Sequence, residues 1–198
     1  MEDARAAILE GLNLFRALEA WGATLYARWA ASEPDPELRS GHLIIAEREA
    51  NHARLLAERL RALGAEPGPA CVDGVLARQL AELGGVQGFV AQLDALKAVS
   101  ERDAPLLESC RAALDRGLAA AKAEDPTSYA FWVRLYSEEK VSGGWYRATY
   151  AVLTGRRPGP VPPPVLSPEQ VTRRAESAGP RSIFCGSAAV DTIDPRFR

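Results

Sequence analysis

The sequence predicts an all-α protein, and three observations carry that prediction. Apolar residues recur at spacings of three and four through most of the first 153 residues. Two Asp-Pro pairs, Asp35-Pro36 and Asp125-Pro126, stand where helices would open, each a capping side chain followed by proline at the first helical position. No segment shows the apolar–polar alternation of a half-buried strand. With 198 residues, the chain can form one domain of about 150 residues with an appendage.

The first helix is expected from about Asp3 to Ala31. Its apolar stripe is Ile8, Leu12, Phe15, Gly22, Tyr26 and Trp29, and Glu19 falls in the gap of that stripe. The second opens at Asp35-Pro36 and closes at Gly64, a glycine placed as a C-cap. Its stripe reads Leu38, His42, Ile45, Glu49, His52, Leu56, Leu60, Leu63, so three polar residues point where a core should be. Residues 65–84 form a crossover containing Gly and Pro, with a short helix near Val75–Leu83. A third long helix runs from about Val86 toward Asp115 or beyond, with Pro105 inside it. The fourth begins at Asp125-Pro126 and runs to about Leu153, with a stripe of Trp132, Leu135, Glu139, Ser142, Tyr146, Tyr150 and Leu153. Gly143-Gly144 inside it points to close packing or to room for a ligand.

The second and fourth helices match at an offset of ninety residues. Glu49 lies fourteen residues after Asp35, Glu139 fourteen after Asp125, and His52 aligns with Ser142. Gly64 and Gly155 close the two patterns to within one residue of each other. This internal repeat suggests two helical hairpins related by pseudo-symmetry, with a carboxylate at equal depth in each. Beyond it, residues 156–198 hold eight of the fourteen prolines, with seven arginines against four acids. Residues 155–198 therefore read as an extended tail that cannot carry a long helix. Its Ser182-Ile183-Phe184-Cys185 and Ile193–Arg198 stretches are apolar enough to dock on a partner subunit or on the helical domain, residues 1–154.

Charge and composition exclude some classes. A formal net charge of -2 gives no global reason to bind nucleic acid or an acidic membrane. No apolar run has transmembrane length, and Met1-Glu2-Asp3 lacks a basic leader, so a cytoplasmic protein is expected. Cys71, Cys110 and Cys185 are odd in number and far apart, which does not read as a disulfide framework, and Cys110 reads as a small buried hydrophobe. With only His42 and His52, a metal site must lean on carboxylates, which suits iron or manganese better than a thiolate zinc site.

Glu49-x-x-His52 puts a carboxylate and an imidazole on one face of a helix, one turn apart, where they can share a metal ion. On an exposed face such a pair is usually just solvated. Here Glu19, Glu49 and Glu139 all lie on core stripes, and unpaired buried carboxylates cost several kcal/mol each, roughly. They need a common counter-charge, either a metal or a buried arginine from among Arg16, Arg48 and Arg134. His42 is expected to support the site or fill the core rather than bind metal.

Asp35–Gly64 with Glu49-x-x-His52, and Glu19 thirty residues upstream, resembles the first half of a ferritin-like, rubrerythrin-like di-iron domain. The likeness covers about residues 1–154. It implies a four-helix bundle with a long crossover between the second and third long helices. It also implies two ions, iron or else manganese, held by Glu19, Glu49, His52, a helix-three carboxylate and Glu139. Ser142 stands where the second motif's histidine would be, so one ion is an alternative, with water or Glu138 compensating. On the third long helix, Pro105 favours Glu101, since a proline cannot donate to its carbonyl and would distort the helix there. Counting back from Asp125 favours Glu108 instead. Tyr26, Tyr136 or Tyr146 could serve as electron donors or hydrogen-bond partners.

The resemblance implies a non-haem di-metal carboxylate protein that activates oxygen or peroxide, an oxidoreductase of hydroxylase, oxidase or peroxidase type. Alternatives are a ferroxidase or iron-handling protein, and a metal-free degenerate bundle acting as an interaction module. A homodimer and a partner protein docked by the tail are both open. Nucleic acid is disfavoured, but the layout is also similar to the bacterial tRNA hydroxylases of this superfamily, which keeps tRNA open.

Overall fold

Capping chemistry sets the helix limits. A computed structural model describes residues 2–161, and among these the chain is all-helical: α1 (Glu2–Ser32), α2 (Pro36–Ala62), α3 (Asp73–Leu83), α4 (Phe89–Glu124) and α5 (Pro126–Leu153). The Asp35 carboxylate accepts from the Glu37 and Leu38 amides at 2.8 and 3.1 Å, and Asp125 accepts from the Ser128 amide at 3.1 Å. At the other ends, Gly64 and Gly155 take φ of 76° and 70°. In each case the glycine amide bonds a carbonyl three residues back and the following amide one five back, Ala65 to Leu60 and Arg156 to Ala151. That is the glycine-closed Schellman ending, twice. The sequence repeat is thus a repeat of caps.

Side-chain contacts fix the helix directions. Arg5 near the start of α1 donates to the Leu63 carbonyl beyond the end of α2, while Glu19 meets His52, so α1 and α2 are antiparallel. Arg59 pairs with Asp125 at one end of the α2–α5 face and His42 bonds Tyr146 at the other, so these two are antiparallel as well. Tyr150 donates to Asp94, and Gly117 lies against Trp132, which makes α4 antiparallel to α5. It follows that α2 and α4 run the same way, and only a long crossover can join them. The 65–88 segment with α3 is that crossover. Asn13 and Arg16 hold it by donating to the Gly68 carbonyl at 3.1 and 2.9 Å, and Trp29 donates to the Leu83 carbonyl at 2.9 Å.

The core between the long helices is aromatic and aliphatic, with Leu12, Phe15, Trp29, Leu56, Leu114 and Trp132 fully buried. α1 and α4 pass closely at Gly11 and Gly117. A Cβ on Gly117 would sit 2.7 Å from the Ala7 carbonyl oxygen, so only glycine fits there. α2 and α5 approach closely at few points, bridged by Arg59 to Asp125 and Arg48 to Ser142, with Gly41 packed on Trp145 at the far end.

Two expectations need correction. The third long helix starts at Phe89, not Val86, and runs through Pro105 to Glu124 without a break. Cys71 and Cys110 are joined in a disulfide, Cα atoms 6.6 Å apart, tying the crossover to α4, whereas the cysteines read as unpaired. Cys110 is buried, but as half of that bridge. Of the tail expected at 155–198, everything from Pro162 on lies outside the described residues, with both stretches proposed to dock on a partner. No described helix is long and apolar enough to cross a membrane.

Candidate metal centre

Glu19 of α1, Glu49 and His52 of α2 and Glu139 of α5 meet inside the protein, all with 8 % exposure or less. Each sits on its helix's buried stripe. The fixed caps of α2 and α5 place Glu49 and Glu139 at the same depth. His52 Nδ1 lies 3.1 Å from Glu19 Oε2 and 3.2 Å from Glu139 Oε1. That nitrogen can carry one hydrogen, so it cannot serve both oxygens well. Glu139 Oε1 is in fact buried with no hydrogen-bond donor. Glu49 packs onto α1 at Gly22, where a Cβ would come within 2.9 Å of its Oε2.

The other face of the imidazole is held as well. His52 Nε2 is 2.9 Å from Glu138 Oε2, and Arg134 in turn bonds Glu138 Oε1 at 3.3 Å. Glu138, considered as a ligand from the sequence, instead takes the outward ring N–H. This orients Nδ1 inward, the arrangement metal-binding histidines use. One oxygen each of Glu19 and Glu139 and one nitrogen of His52 lie within 4.8 Å of one another, and this buried group can hold a metal ion. Two carboxylates and one imidazole, with Glu49 buried beside them, make an oxygen-rich donor set for a metal ion.

Burial and the crowding of three carboxylates around one imidazole shift the titration of the cluster. Burial pushes Glu19 up to about 7, and Glu139 pushes the same way, while hydrogen bonding and charge attraction from His52 pull back. Burial and repulsion from Glu139 and Glu19 push Glu49 well above the ordinary carboxylate range. For His52 burial alone pulls downward. Hydrogen bonds to Glu138 and Glu19 and the close Glu139 carboxylate outweigh it together and raise the ring to about 11. The cluster therefore retains protons wherever no metal replaces them.

Two expected ligands are elsewhere. Glu101 is 65 % exposed beside Lys97, at 3.9 Å, and Glu108 is exposed too. The buried positions of α4 include Gln92, Leu96, Val99, Asp103, Cys110, Leu114, Gly117 and Ala121, a stripe that both glutamates miss by two residues. Its buried acid, Asp103, is bound by Arg78, Gln79 and Arg102 at 2.8–3.0 Å, which hold it well below the usual range and dock α3. Of the three candidate counter-charges, Arg16 binds the crossover and Arg134 lies outside Glu138. Only Arg48 reaches in, donating to Ser142 Oγ at 3.0 Å.

Two turns along α2 and α5 from the cluster lies a second buried polar pair. Tyr146 Oη is 2.9 Å from His42 Nδ1, inside a shell of Trp29, Phe89, Trp145 and Tyr26 rings. Burial lowers His42 to about 4, against an opposing pull from Gln92, so the ring is neutral and shares a single hydrogen with the phenol. Sequence reading had His42 as a core or supporting residue but did not foresee its partner. No protein-family model, curated protein or solved structure matches this chain.

Proposed function

We propose that the protein is a metal-dependent oxidoreductase of the ferritin-like, rubrerythrin-like kind, with iron or manganese held by Glu19, Glu49, His52 and Glu139. The observation that carries this reading is the convergence of Glu19 and Glu139 oxygens on His52 Nδ1 in a buried site where Glu139 Oε1 has no donor. The antiparallel pairing of neighbouring long helices, and the crossover that makes α2 and α4 parallel, support the ferritin-like four-helix arrangement. A bound redox metal would supply electrons to dioxygen or peroxide. The chain's own residues do the rest. Glu19, Glu49 and Glu139 bring anionic oxygens that favour the oxidised metal. Glu138 fixes the imidazole by accepting its outward N–H. The aromatic layer around His42 and Tyr146 excludes water on one side.

The test is metal content per chain after loading with iron(II) or manganese(II), followed by oxygen consumption with a reductant. Bound metal that is lost in Glu49→Ala, with oxygen uptake in the iron-loaded form, supports the reading. Bound iron that only forms mineral would make it an iron-handling protein. Absence of bound metal sinks it.

One observation favours a second reading. His52 raised to about 11 is an imidazolium that can neutralise part of the cluster without any metal. The protein would then be a carboxylate-lined helical module that works by binding a partner. A thermal midpoint unchanged by manganese(II) or iron(II) would favour it.

A further inference from the structure

The ninety-residue offset that relates Glu49 to Glu139 and His52 to Ser142 also relates Arg48 to Glu138. In the folded protein these four residues form two matching bridges across the α2–α5 face. Glu138 reaches His52, with Oε2 to Nε2 at 2.9 Å, and Arg48 reaches Ser142, with Nη1 to Oγ at 3.0 Å. In both, the residue just before a buried glutamate contacts the residue three after its counterpart. The connections are alike and the charges are reversed.

The reversal has a chemical meaning. At the His52 bridge, an acid takes the outward N–H and leaves an inward nitrogen donor for a cation. At the Ser142 bridge, the side chain offers no nitrogen, and its hydroxyl accepts from a guanidinium that is permanently charged and has no acceptor of its own. A second dication there would lack a nitrogen ligand and face a fixed positive charge. α4 adds no carboxylate to help, since Glu101 and Glu108 are exposed and Asp103 is bound by arginines. The charges also balance. By formal count, three ionised carboxylates, Glu19, Glu49 and Glu139, are balanced by one dication plus Arg48, which is held by Ser142 Oγ and the Glu138 carbonyl, whereas two dications plus Arg48 leave a surplus of two. Glu138 is matched separately by Arg134.

We infer that the centre takes one divalent ion per chain, on the His52 side, and that Arg48 stands in for the second. This rests on the metal reading above, and the experiment separates the two. Manganese(II) is titrated into chelator-stripped full-length protein, with free ion followed by its EPR signal and bound ion by elemental analysis. One ion per chain is expected. Two would overturn the inference and leave the metal reading standing, while none would overturn both.

Variants then test Arg48 itself. Arg48→Gln should tighten binding of the single ion about tenfold, because a repelling charge is gone, and Arg48→Lys should not. Equal affinity in all three proteins would overturn the role of Arg48. Arg48→Gln combined with Ser142→His should admit a second, weaker ion. A folded double variant that still stops at one ion would overturn the assignment of the Arg48–Ser142 pair. Should the double variant fail to fold, the Gln and Lys affinities decide.

Discussion

His42 and His52 stand ten residues apart on the same helix and are both almost fully buried. One is lowered to about 4 and the other raised to about 11. Burial works downward on both, so burial is not what separates them. His42 looks onto aromatic rings, one phenol and Gln92, with no carboxylate to hold a proton against the cost of burial. His52 looks onto Glu19, Glu138 and Glu139. A neutral histidine that completes a packed layer and a cation-seeking histidine that completes a charged cluster thus come from the same stripe of α2. What distinguishes them is the facing residue on α5, tyrosine in one layer and glutamate in the other.

The largest expected effect breaks the charged side. His52→Ala should abolish metal binding and, in metal-free protein, cost about 3–5 kcal/mol, because buried carboxylates lose their partner. Elemental analysis and urea unfolding check this. His42→Ala should leave metal content intact, and parallel loss in both variants would erase the distinction.

Next in size is pH. His42 takes up a proton near 6.5 when unfolded but only near 4 when folded, so it subtracts stability as pH falls through that window, about 3 kcal/mol in full. Above 6.5 it contributes nothing. The cluster acts in the opposite sense. Glu19 keeps its proton up to about 7 in the fold but loses it near 4.5 unfolded, so stability drains as pH rises between those values. The raised His52 adds stability that is complete below 6.5 and is lost as pH climbs toward 11. Unfolding curves across pH should show a shallower acid limb in His42→Phe. Saturating manganese(II) should flatten the alkaline limb of the wild type and of His42→Phe alike, because the ion replaces the protons at a cluster both proteins keep.

Packing separates the layers further. In Gly41→Ala the new Cβ would lie 2.0 Å from Trp145 Cζ2, so overpacking should cost about 1–3 kcal/mol without touching metal affinity. Gly22→Ala meets the movable end of Glu49 instead. It should leave unfolding nearly unchanged and weaken manganese(II) binding several-fold in a calorimetric titration. The smallest effect belongs to Tyr146→Phe, about 1 kcal/mol for the hydrogen bond to His42, read from the denaturation midpoint.

Much of this was legible in the sequence, for a physical reason. Glu19, Glu49, His52 and Glu139 interrupt apolar stripes of period 3.6, and a polar residue on such a stripe is directed inward whatever it binds. The Asp-Pro and glycine caps fixed the phase of α2 and α5. α4 lacks such markers. Gly88 precedes it at φ 83° without a side-chain cap, and Pro105 was read as a distortion near a ligand when it lies exposed within continuous helix. Pro105 as a distortion marker and a count back from Asp125 therefore point to Glu101 and Glu108, although Gln92, Leu96, Val99 and Asp103 mark another face. The Cys71–Cys110 bridge depends on how the crossover folds back over α1, which no local pattern encodes. The Arg48–Ser142 bridge was within reach, since the offset that pairs Glu49 with Glu139 pairs Arg48 with Glu138.

The double capping of α2 and α5 bears on how an ion would arrive. Each helix is closed at both ends by its own residues, so its length and rotation are set before any ligand is present. The donors wait in place rather than gathering around the ion. Uptake then requires shedding water and protons but little ordering of the chain, which lowers the entropic cost of binding. Metal loading should accordingly be fast and release protons to the solvent, and the far-ultraviolet dichroism of the helices should look the same before and after.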